Sequence, residues 1–460
     1  MDNLASCLIG GTYFDKDKVK MKGFKNSIGS KSIAVLGAGR SGIAAARALV
    51  RKGSKVLLSD RGKIKRDTLQ GISIEEFGHT SRIFQSDMVV LSPSIIVHKP
   101  FIQRLLTVKI PVISELELGY RLTEGTYIAL TGTNGKTTTT NLIYQMIPGS
   151  IKAGNVGTPL SEYAGKRGTF VLEISSFQLM TIDTFKPDIA MILNIEEDHL
   201  DWHKTFAEYK NAKKRIFENQ RDSDILILNY DDPNVRSYQE QAKSRILFVS
   251  IEEKVKGAFF EKGRLYLNLD TTIPILNADE MQLKGLHNIY NALFASLAAY
   301  LYHGDIEIIR KILKTFKSLP HRIEYLGQIN GIKFYNDSKG TNPHAVLWAL
   351  KGFKKHVILI LGGEDKGLSF VPLKNEIRKK VKFIIAIGET KERIKKEIGD
   401  TVPIYFAGNM DEVVDMALSM GSKGDTVLLS PGCSSFDMYK NYKERGDDFR
   451  RSFKKRAQGD

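Results

Sequence analysis

Residues 130–138 read Leu-Thr-Gly-Thr-Asn-Gly-Lys-Thr-Thr, between the apolar run 127–129 and a helix-like stretch over 139–146. In a loop of this kind the glycines allow successive backbone N–H groups to converge on an anion at a helix N-terminus. Lys136 can then reach the β- and γ-phosphates of a nucleotide, and the Thr137 hydroxyl can bind Mg²⁺. The consensus loop has a glycine where Leu130 stands, and Gly-Lys-Thr strings also occur in ordinary turns. The stretch predicts a nucleoside triphosphate site in an α/β domain.

The composition is that of an ordinary globular chain with an excess of basic residues. The 460 residues include 68 Lys plus Arg against 52 Asp plus Glu, which gives a formal net charge of +16. The basic residues are spread along the chain, apart from a cluster within 450–456, so we expect a solvated surface and no nucleic-acid partner. No apolar run approaches the roughly 20 residues of a bilayer-spanning helix. This absence and the lack of a basic secretory start at the N-terminus lead us to expect no membrane insertion and a location in the cytoplasm. Only Cys7 and Cys433 are present, so we expect reduced thiols. We also expect a monomer.

The first residues differ from the rest of the chain. Residues 1–30 show no hydrophobic periodicity and predict a flexible leader, within which Met21 is an alternative start of translation. The length predicts about three domains. We place their boundaries at 31–113, 114–319 and 320–460, where strand and helix patterns restart.

The first domain opens as a nucleotide-binding fold. A strand over 32–36 leads into the turn Gly-Ala-Gly-Arg-Ser-Gly at 37–42, a helix over 43–52 and a second strand that ends before Asp60. This G-x-G-x-x-G pattern, with an acid about 20 residues later, indicates a Rossmann-like unit. Taken alone, it leaves NAD binding open, because the same turn accepts any diphosphate.

The remaining two domains alternate between strand-like and helix-like segments. Such alternation predicts mainly parallel sheets in an α/β fold. The strand-like runs lie at 170–174, 188–195, 225–228, 333–335, 357–361, 383–387 and 426–429, with a long helix over 288–302.

Several further motifs follow the phosphate loop in order. They are Gly-Asn-Val-Gly at 154–157, Ser-Ser-Phe-Gln-Leu at 175–179, Asn-Ile-Glu-Glu-Asp-His at 194–199, Tyr-Lys-Asn-Ala-Lys at 209–213, His-Asn-Ile-Tyr-Asn at 287–291, Leu-Pro-His-Arg at 319–322, Asn-Asp-Ser-Lys at 336–339 and Ser-Pro-Gly-Cys at 430–433. From about residue 31 onward this order resembles the Mur ligases, ATP-dependent enzymes of peptidoglycan precursor synthesis. The strings at 175–179 and 336–339 are similar to those of the D-glutamate-adding members.

The resemblance implies that ATP activates the carboxylate of UDP-N-acetylmuramoyl-L-alanine as an acyl phosphate, which the amine of D-glutamate then attacks. It implies three domains in series: a Rossmann-like UDP-binding domain, a central ATPase-like domain with the phosphate loop, and a Rossmann-like C-terminal domain. The implied ATP-binding residues are Gly132, Thr133, Asn134, Gly135, Lys136, Thr137, Thr138, Asn288, Asn291, Arg322 and Asp337, with Lys339 beside them. For Asn288 a second interpretation stays open, because an asparagine at the start of a helix is more often only a cap.

The same resemblance implies the catalytic centre. Lys136, Glu173, His199 and Lys213 would be catalytic. Thr137 and Glu173 would hold one Mg²⁺, and His199 would bind a second ion together with a carbamate formed on Lys213 by CO₂. An ammonium group cannot bind a cation, so the role of Lys213 depends on this modification. Without the resemblance, Lys213 reads as a solvated lysine on a basic helix.

Substrate contacts complete the implied site. Contacts to the UDP substrate would come from Arg40, Ser41, Asp60, Arg61, Asn155 and His199. The D-glutamate pocket would be formed by Thr341, Lys366, Ser430 and Phe436, although Lys366 equally suits a surface turn. The chain has Ser94 where the family usually has glycine, and the added Cβ could crowd the uridine.

Three alternatives remain open from the sequence. A related Mur or folylpolyglutamate-type ligase would use another amino acid or acceptor, although the complete first domain argues against the folate type. A nicotinamide oxidoreductase would explain the turn at 37–42 but would leave Glu173 and His199 without a role. A nucleic-acid-stimulated ATPase would explain the charge and the phosphate loop but not the third domain.

Overall fold

The computed structural model of the protein describes residues 28–65, 69–199, 202–283 and 285–458. The predicted leader lies outside the described residues up to residue 27, and with it Cys7 and the alternative start at Met21. Its last three residues, Ile28–Ser30, form a 3-10 turn in which the Ile28 side chain is fully buried. The packed chain therefore begins before the predicted boundary at residue 31.

The first sheet contains five parallel strands in the order β3-β2-β1-β4-β5. Its strands are β1 (Ser32–Leu36), β2 (Lys55–Ser59), β3 (Ile72–Glu75), β4 (Met88–Leu91) and β5 (Val112–Ser114). Its helices are α1 (Arg40–Arg51) and α2 (Pro100–Thr107). Because the strands are parallel, the 37–42 turn, Asp60 and the loop after β4 lie at one edge of the sheet.

The second sheet has nine strands in the order β14-β13-β12-β11-β10-β9-β6-β8-β7. The strands are β6 (Glu124–Thr131), β7 (Ile151–Gly154), β8 (Arg167–Glu173), β9 (Ile189–Ile192), β10 (Ile225–Asn229), β11 (Arg245–Ser250), β12 (Gly257–Glu261), β13 (Arg264–Asn268) and β14 (Thr272–Asn277). The associated helices are α3 (Glu115–Leu122), α4 (Lys136–Met146), α5 (Ser176–Leu179), α6 (Phe206–Lys214), α7 (Pro233–Arg236), α8 (Leu286–His303) and α9 (Ile306–Thr315). Strands β6 to β12 pair in parallel, whereas β12, β13 and β14 form an antiparallel meander.

The third sheet has six strands in the order β15-β16-β20-β17-β18-β19, and only β15 is antiparallel to its neighbour. The strands are β15 (Glu324–Ile329), β16 (Ile332–Asn336), β17 (Val357–Leu361), β18 (Val381–Ala386), β19 (Ile404–Phe406) and β20 (Thr426–Leu429). The helices are α10 (Pro343–Lys351), α11 (Lys374–Lys380), α12 (Lys391–Ile398), α13 (Met410–Met420) and α14 (Tyr442–Ala457). No helix in the described part of the chain is both long and apolar enough to cross a bilayer.

Each sheet is covered on both faces, which explains why its central strands read as continuous apolar runs. In β9, Ile189 and Met191 point into one buried cluster, and Ala190 and Ile192 point into the cluster on the opposite face. The first and third sheets also separate two buried clusters each. This arrangement confirms the predicted series of three α/β units with mainly parallel sheets.

The helix that links the first two sheets is anchored by a buried carboxylate. Glu117 on α3 is fully buried, and its Oε1 accepts hydrogen bonds from Arg121 Nε (2.5 Å) and Thr184 Oγ1 (2.6 Å). Its Oε2 accepts from the backbone N–H groups of Asp183 (3.0 Å) and Phe185 (2.9 Å). Burial by itself raises the pKa of Glu117, but the Arg121 charge and these hydrogen bonds hold it below its ordinary value.

We expect Glu117→Ala to lower the free energy of unfolding by roughly 3–5 kcal/mol, because Arg121 Nε and the backbone N–H groups of residues 183–185 lose their acceptor. Urea unfolding would measure the loss. Since the folded pKa lies below 4.5, the stabilisation should be complete above that pH and should be lost as the pH falls further.

Glu307→Ala is a matched control, because its carboxylate is 73% exposed and pairs with Arg310 within one helix. It should change stability by less than about 1 kcal/mol. Equal effects of the two substitutions would show that Glu117 is not an anchor.

Candidate functional site

The phosphate loop follows β6 and is shaped by contacts to the loop after β9. The backbone N–H of Thr133 donates to Asn194 O (2.9 Å), and that of Asn134 donates to Asn194 Oδ1 (2.8 Å). Gly135 has φ +83°, and a Cβ there would lie 2.4 Å from Asn291 Oδ1. Glycine is therefore required at this position, where α4 begins.

Two lysine side chains meet at a single carbonyl of this loop. Lys136 Nζ donates to Gly132 O (2.7 Å) and Thr133 O (2.9 Å), and Lys213 Nζ donates to the same Gly132 O (2.8 Å). Lys213 is 1% exposed, and burial followed by the charge of Lys136 lowers its pKa well below the ordinary value. Burial also lowers the pKa of Lys136. The predicted lysine on a solvated helix face is thus excluded, and the Lys213 amine is held toward its neutral form.

Glu173 lies at the end of β8, beside the phosphate loop, and is 2% exposed. Its Oε1 accepts from Asn155 Nδ2 (3.1 Å), whereas its buried Oε2 has no hydrogen-bond partner among the described residues. Within the same residues, no group of three or more His, Cys, Asp or Glu side chains is placed to hold a metal ion. A hard cation at Glu173 would therefore need further oxygen ligands from a hydroxyl such as that of Thr137, from water or from a bound phosphate.

His199 adopts φ +55° and packs against Phe177, with ring centroids 5.0 Å apart. Its Nε2 lies 3.8 Å from Asp198 Oδ2. Burial and the nearby Lys366 lower the pKa of His199 to about 4, although Asp198 acts in the opposite direction. The ring is neutral at physiological pH, which is the form that binds a metal.

Asp198 connects this region to the C-terminal sheet. It is 5% exposed, and its carboxylate accepts from Asn342 Nδ2 (3.1 Å) and lies 3.4 Å from Lys366 Nζ. Burial raises the pKa of Asp198, but the Lys366 charge and its other partners lower it overall. Sequence reasoning quoted Asp198 within a motif and gave it no role; its position next to His199 was the available signal.

A cavity of about 350 Å³ lies between the phosphate loop and the C-terminal sheet. Seven of the eleven predicted ATP-binding residues line it, namely Asn134, Gly135, Thr138, Asn288, Asn291, Arg322 and Asp337. The other four, Gly132, Thr133, Lys136 and Thr137, belong to the loop that bounds it. The cavity also has walls that sequence reasoning missed, including His287, Tyr290, His344 and Trp348. His287 and Tyr290 stand in the quoted string 287–291 but were given no role there, whereas His344 and Trp348 lie on α10, outside the quoted strings.

The C-terminal wall of the cavity holds an acid and an amine with displaced pKa values. Burial raises the pKa of Asp337 to about 7, and its Oδ2 accepts from Ser430 Oγ (2.8 Å). Burial, with a contribution from Arg322, lowers the pKa of Lys339 to about 7. The Lys339 amine lies 4.2 Å from the centre of the Tyr442 ring. Both side chains therefore titrate near neutral pH.

The residues predicted to bind D-glutamate follow the carboxyl ends of the neighbouring strands β16, β17 and β20. Thr341 is half-buried, and Lys366 faces Asp198. Ser430 is fully buried and donates to Asp337, whereas Phe436 is 66% exposed. The fold brings the four residues to one edge of the sheet but not into one closed pocket.

The residues predicted to bind the UDP substrate gather at the 37–42 turn. Asp60 accepts from the backbone N–H groups of Ala38 (2.6 Å) and Gly62 (2.7 Å). Arg40 donates to Gly157 O (3.2 Å) across to the second sheet. Ser41 is half-buried and Arg61 is exposed, and Asn155 donates to Glu173. Ser94 is exposed at the same edge.

The basic cluster within 450–456 lies on α14 and is largely neutralised by acidic neighbours. Its members form ion pairs with Glu324, Asp411, Asp415, Asp447 and Asp448. These ion pairs offset much of the positive charge of the cluster itself.

Comparison with known proteins identifies three matching family models. The MurD N-terminal domain matches residues 32–101, the Mur ligase middle domain 130–299, and the Mur ligase glutamate ligase domain 321–433. The UDP-N-acetylmuramoylalanine–D-glutamate ligase of Caldanaerobacter subterraneus is 41% identical over 442 residues, which cover 92% of this chain and 98% of the relative. The ligase of the same name from Aquifex aeolicus is 39% identical and covers 90% of this chain and 97% of its own length.

Solved structures share the fold at low sequence identity. A pseudomurein peptide ligase type C from Methanothermus fervidus has a TM-score of 0.60 and 20% identity, covering 93% of this chain and 100% of its own. MurF from Thermotoga maritima, solved in complex with ADP, has a TM-score of 0.58 and 16% identity, covering 94% and 97%. These similarities establish the architecture of three sheets in series.

Lys339 leads to a prediction about proton uptake. Because its pKa is about 7, it is mostly neutral at pH 8, and a nearby polyphosphate should favour its charged form. We expect binding of ADP at pH 8 to take up a fraction of a proton. Calorimetry in buffers of different ionisation enthalpy would measure the uptake, and it should shrink in Lys339→Met. Identical uptake in the variant would assign the proton to another group.

Proposed function

The chain belongs to the Mur ligase family, and we propose that it joins D-glutamate to UDP-N-acetylmuramoyl-L-alanine, with ATP converted to ADP and phosphate. The relatives compared above carry the name of this ligase over nearly their whole length. The observation that carries the proposal is the meeting of Lys136, Lys213 and Glu173 at the phosphate loop, next to a cavity closed by the C-terminal sheet. The reacting carboxylate and triphosphate are both anionic and repel each other, so the reaction requires charged side chains that offset this repulsion.

In the first step a carboxylate oxygen of the acceptor attacks the γ-phosphorus of ATP, and ADP leaves with the bond electrons. In the second step the amine of D-glutamate attacks the acyl carbon, phosphate leaves, and the amine nitrogen loses a proton. Lys136, Arg322 and Lys339 offset the negative charge that gathers in the first step, because all three face the same region. Positioning and electrostatic stabilisation dominate such phosphoryl transfer.

Magnesium fits the residues present. The unpartnered buried Oε2 of Glu173 and the hydroxyl of Thr137 would hold one ion beside the phosphates, and the neutral ring of His199 would contribute to a second. Bound there, the ions would supply charge neutralisation between the phosphates and the carboxylate. The scarcity of protein carboxylates at this place suits Mg²⁺, which typically takes most ligands from water and substrate.

Lys213 would complete the second ion site as a carbamate. Its burial favours the neutral amine, whose lone pair can attack the carbon of CO₂; the new N–C bond forms as the nitrogen releases a proton. The product is an anion in place of a cation at the same position. Tyr209, whose ring centre lies 4.6 Å from the amine, and Gly132 would frame it.

The outer domains would supply the two other substrates. The turn at 37–42, with Arg40, Ser41, Asp60 and Arg61, would bind the UDP portion, because turns of this kind accept diphosphates. Thr341, Lys366, Ser430 and Phe436 would bind D-glutamate, which requires Lys366 to exchange its contact with Asp198 for a substrate carboxylate. The units 31–113, 114–319 and 320–460 would then act as UDP-binding, ATP-binding and amino-acid-binding domains of a monomer in the cytoplasm.

The proposal is tested by phosphate release from the purified chain. Release should require ATP, Mg²⁺, UDP-N-acetylmuramoyl-L-alanine and D-glutamate together, and omission of any one should reduce it to background. L-glutamate and a diamino acid serve as matched controls for the amino acid. Equal release with either of them, or with a folate acceptor, would contradict the proposal.

Lys213→Ala should lower kcat at least about a hundredfold, because the centre loses a preorganised charged group. Short carboxylic acids added to this variant should restore part of the rate by occupying the place of the carbamate. Lys214→Ala is the matched control, since the neighbouring Lys214 points away to Gln241 Oε1 (3.0 Å). Normal turnover in Lys213→Ala, with the fold verified by circular dichroism, would remove the proposed carbamate.

A further inference from the structure

One end of the cavity between the domains carries an aromatic wall to which no function has been assigned. Trp348 on α10 and Tyr290 on α8 line it from opposite domains, with ring centroids 6.1 Å apart and planes at 89°. Trp348 is only half-buried, and Lys351 Nζ lies 4.3 Å from its ring centre. The phosphate loop bounds the same cavity through Asn134 and Gly135. A ligand held by the loop can therefore extend toward Trp348.

Unpartnered polar atoms are concentrated in this cavity. Asn134 Nδ2, His287 Nδ1 and His344 Nδ1 are buried and have no hydrogen-bond partner within the described ranges, and all three residues line it. A buried polar atom without a partner costs roughly 1–3 kcal/mol, so such atoms mark places where a ligand supplies the partner. The His344 ring uses its other nitrogen, Nε2, on Glu196 Oε1 (3.0 Å). With Nε2 donating to Glu196, Nδ1 remains an acceptor.

We propose that Trp348 and His344 recognise the nucleoside of ATP: the purine stacks on Trp348, and His344 Nδ1 accepts a hydrogen bond from the nucleoside. The inference rests on the proposed function and adds two positioning residues to it. Purine bases stack on aromatic side chains, and tryptophan offers the largest face. The acceptor side chains around this end, Glu196 and Asp231 among them, can receive the hydrogen-bond donors that a purine edge such as the exocyclic amine of adenine presents.

This assignment places the two ends of the nucleotide on different domains. The phosphates would lie on the loop before α4, whereas the base would lie on α10 of the C-terminal domain. Nucleotide binding would then favour the arrangement in which α10 faces α8. Loss of Trp348 should therefore weaken ATP binding and leave the chemical steps intact.

Tryptophan fluorescence tests the stacking directly, because the chain has only two tryptophans, Trp202 and Trp348. In a Trp202→Phe background the emission comes from Trp348 alone, and ADP should quench it. Calorimetry on the same sample would establish that ADP is bound. Unchanged emission at saturating ADP would overturn the role of Trp348 while leaving the proposed ligase function standing. Absence of ADP binding would overturn both.

Steady-state kinetics of single variants, made in the chain that retains Trp202, supply the second test. Trp348→Ala should raise KM for ATP about tenfold, equivalent to about 1.4 kcal/mol, with kcat changed less than threefold. Trp348→Phe should retain most of the affinity, and His344→Ala should raise KM for ATP without changing KM for D-glutamate. Tyr325→Ala, which removes an exposed aromatic outside the cavity lining, is the matched control. An unchanged KM for ATP in Trp348→Ala would overturn the proposal.

Discussion

The burial of neighbouring amino groups is the constraint on which the site depends. Lys136, Lys213 and Lys339 all lie where burial and neighbouring positive charge lower their pKa values. Two unit charges about 4 Å apart interact by several kcal/mol at the effective dielectric of a protein, and Glu173 and Asp198 are the carboxylates that act on them. The fold thus makes the charged form of each amine less favourable than it is in water. A polyphosphate reverses the balance, since each amine then gains a favourable partner by accepting a proton.

Contacts between charged and polar side chains also join the central and C-terminal domains at the site. The acidic string after β9 faces the C-terminal sheet, where Asp198 meets Lys366 and Asn342, and Glu196 meets His344. Without its partner, each of these side chains would be a partly solvated polar or charged group between the two domains. In the proposed reaction the C-terminal domain brings the amino acid, so contacts that can be exchanged for substrate are more useful there than a permanent apolar seam. Asp337, held by Ser430 on the same edge, ties two of the C-terminal loops together.

Much of this fold was predictable from the sequence because its strands are buried on both faces. Strands β1, β17 and β20 were predicted with the bounds they have, since an apolar run between turn residues has few alternatives in an α/β chain. The antiparallel meander of β12 to β14 was missed, because its strands alternate polar and apolar residues and contain Pro274. The α4 helix was predicted to begin at residue 139 but begins at Lys136, since the glycine before it can adopt a left-handed backbone.

The site was predictable only where its residues lie in contiguous motifs. The phosphate loop and Lys213 sit in recognisable strings, and Glu173 lies two residues before another. Trp348 and Tyr290, in contrast, face each other across a domain boundary that no spacing in the sequence records. The environment of Lys213 could not be predicted from the sequence either, because Lys210, Lys214 and Arg215 around it suggest a basic helix face and only the packing of α6 against the loop buries Lys213. Burial is a property of the assembled sheets and not of the nine residues of α6.

The burial of Lys213 also links its proposed modification to substrate binding. A neutral buried amine reacts readily with CO₂, but the resulting carbamate is an anion in the same low-dielectric surroundings, which disfavour it as they disfavour the ammonium. The carbamate is therefore stable only beside positive charge. Lys136 is the nearest source, since both amines share Gly132 O, and a cation at Glu173 or His199 would be another. Carbamate, metal ion and nucleotide should accordingly stabilise one another, and the centre should be complete only when the phosphates are in place.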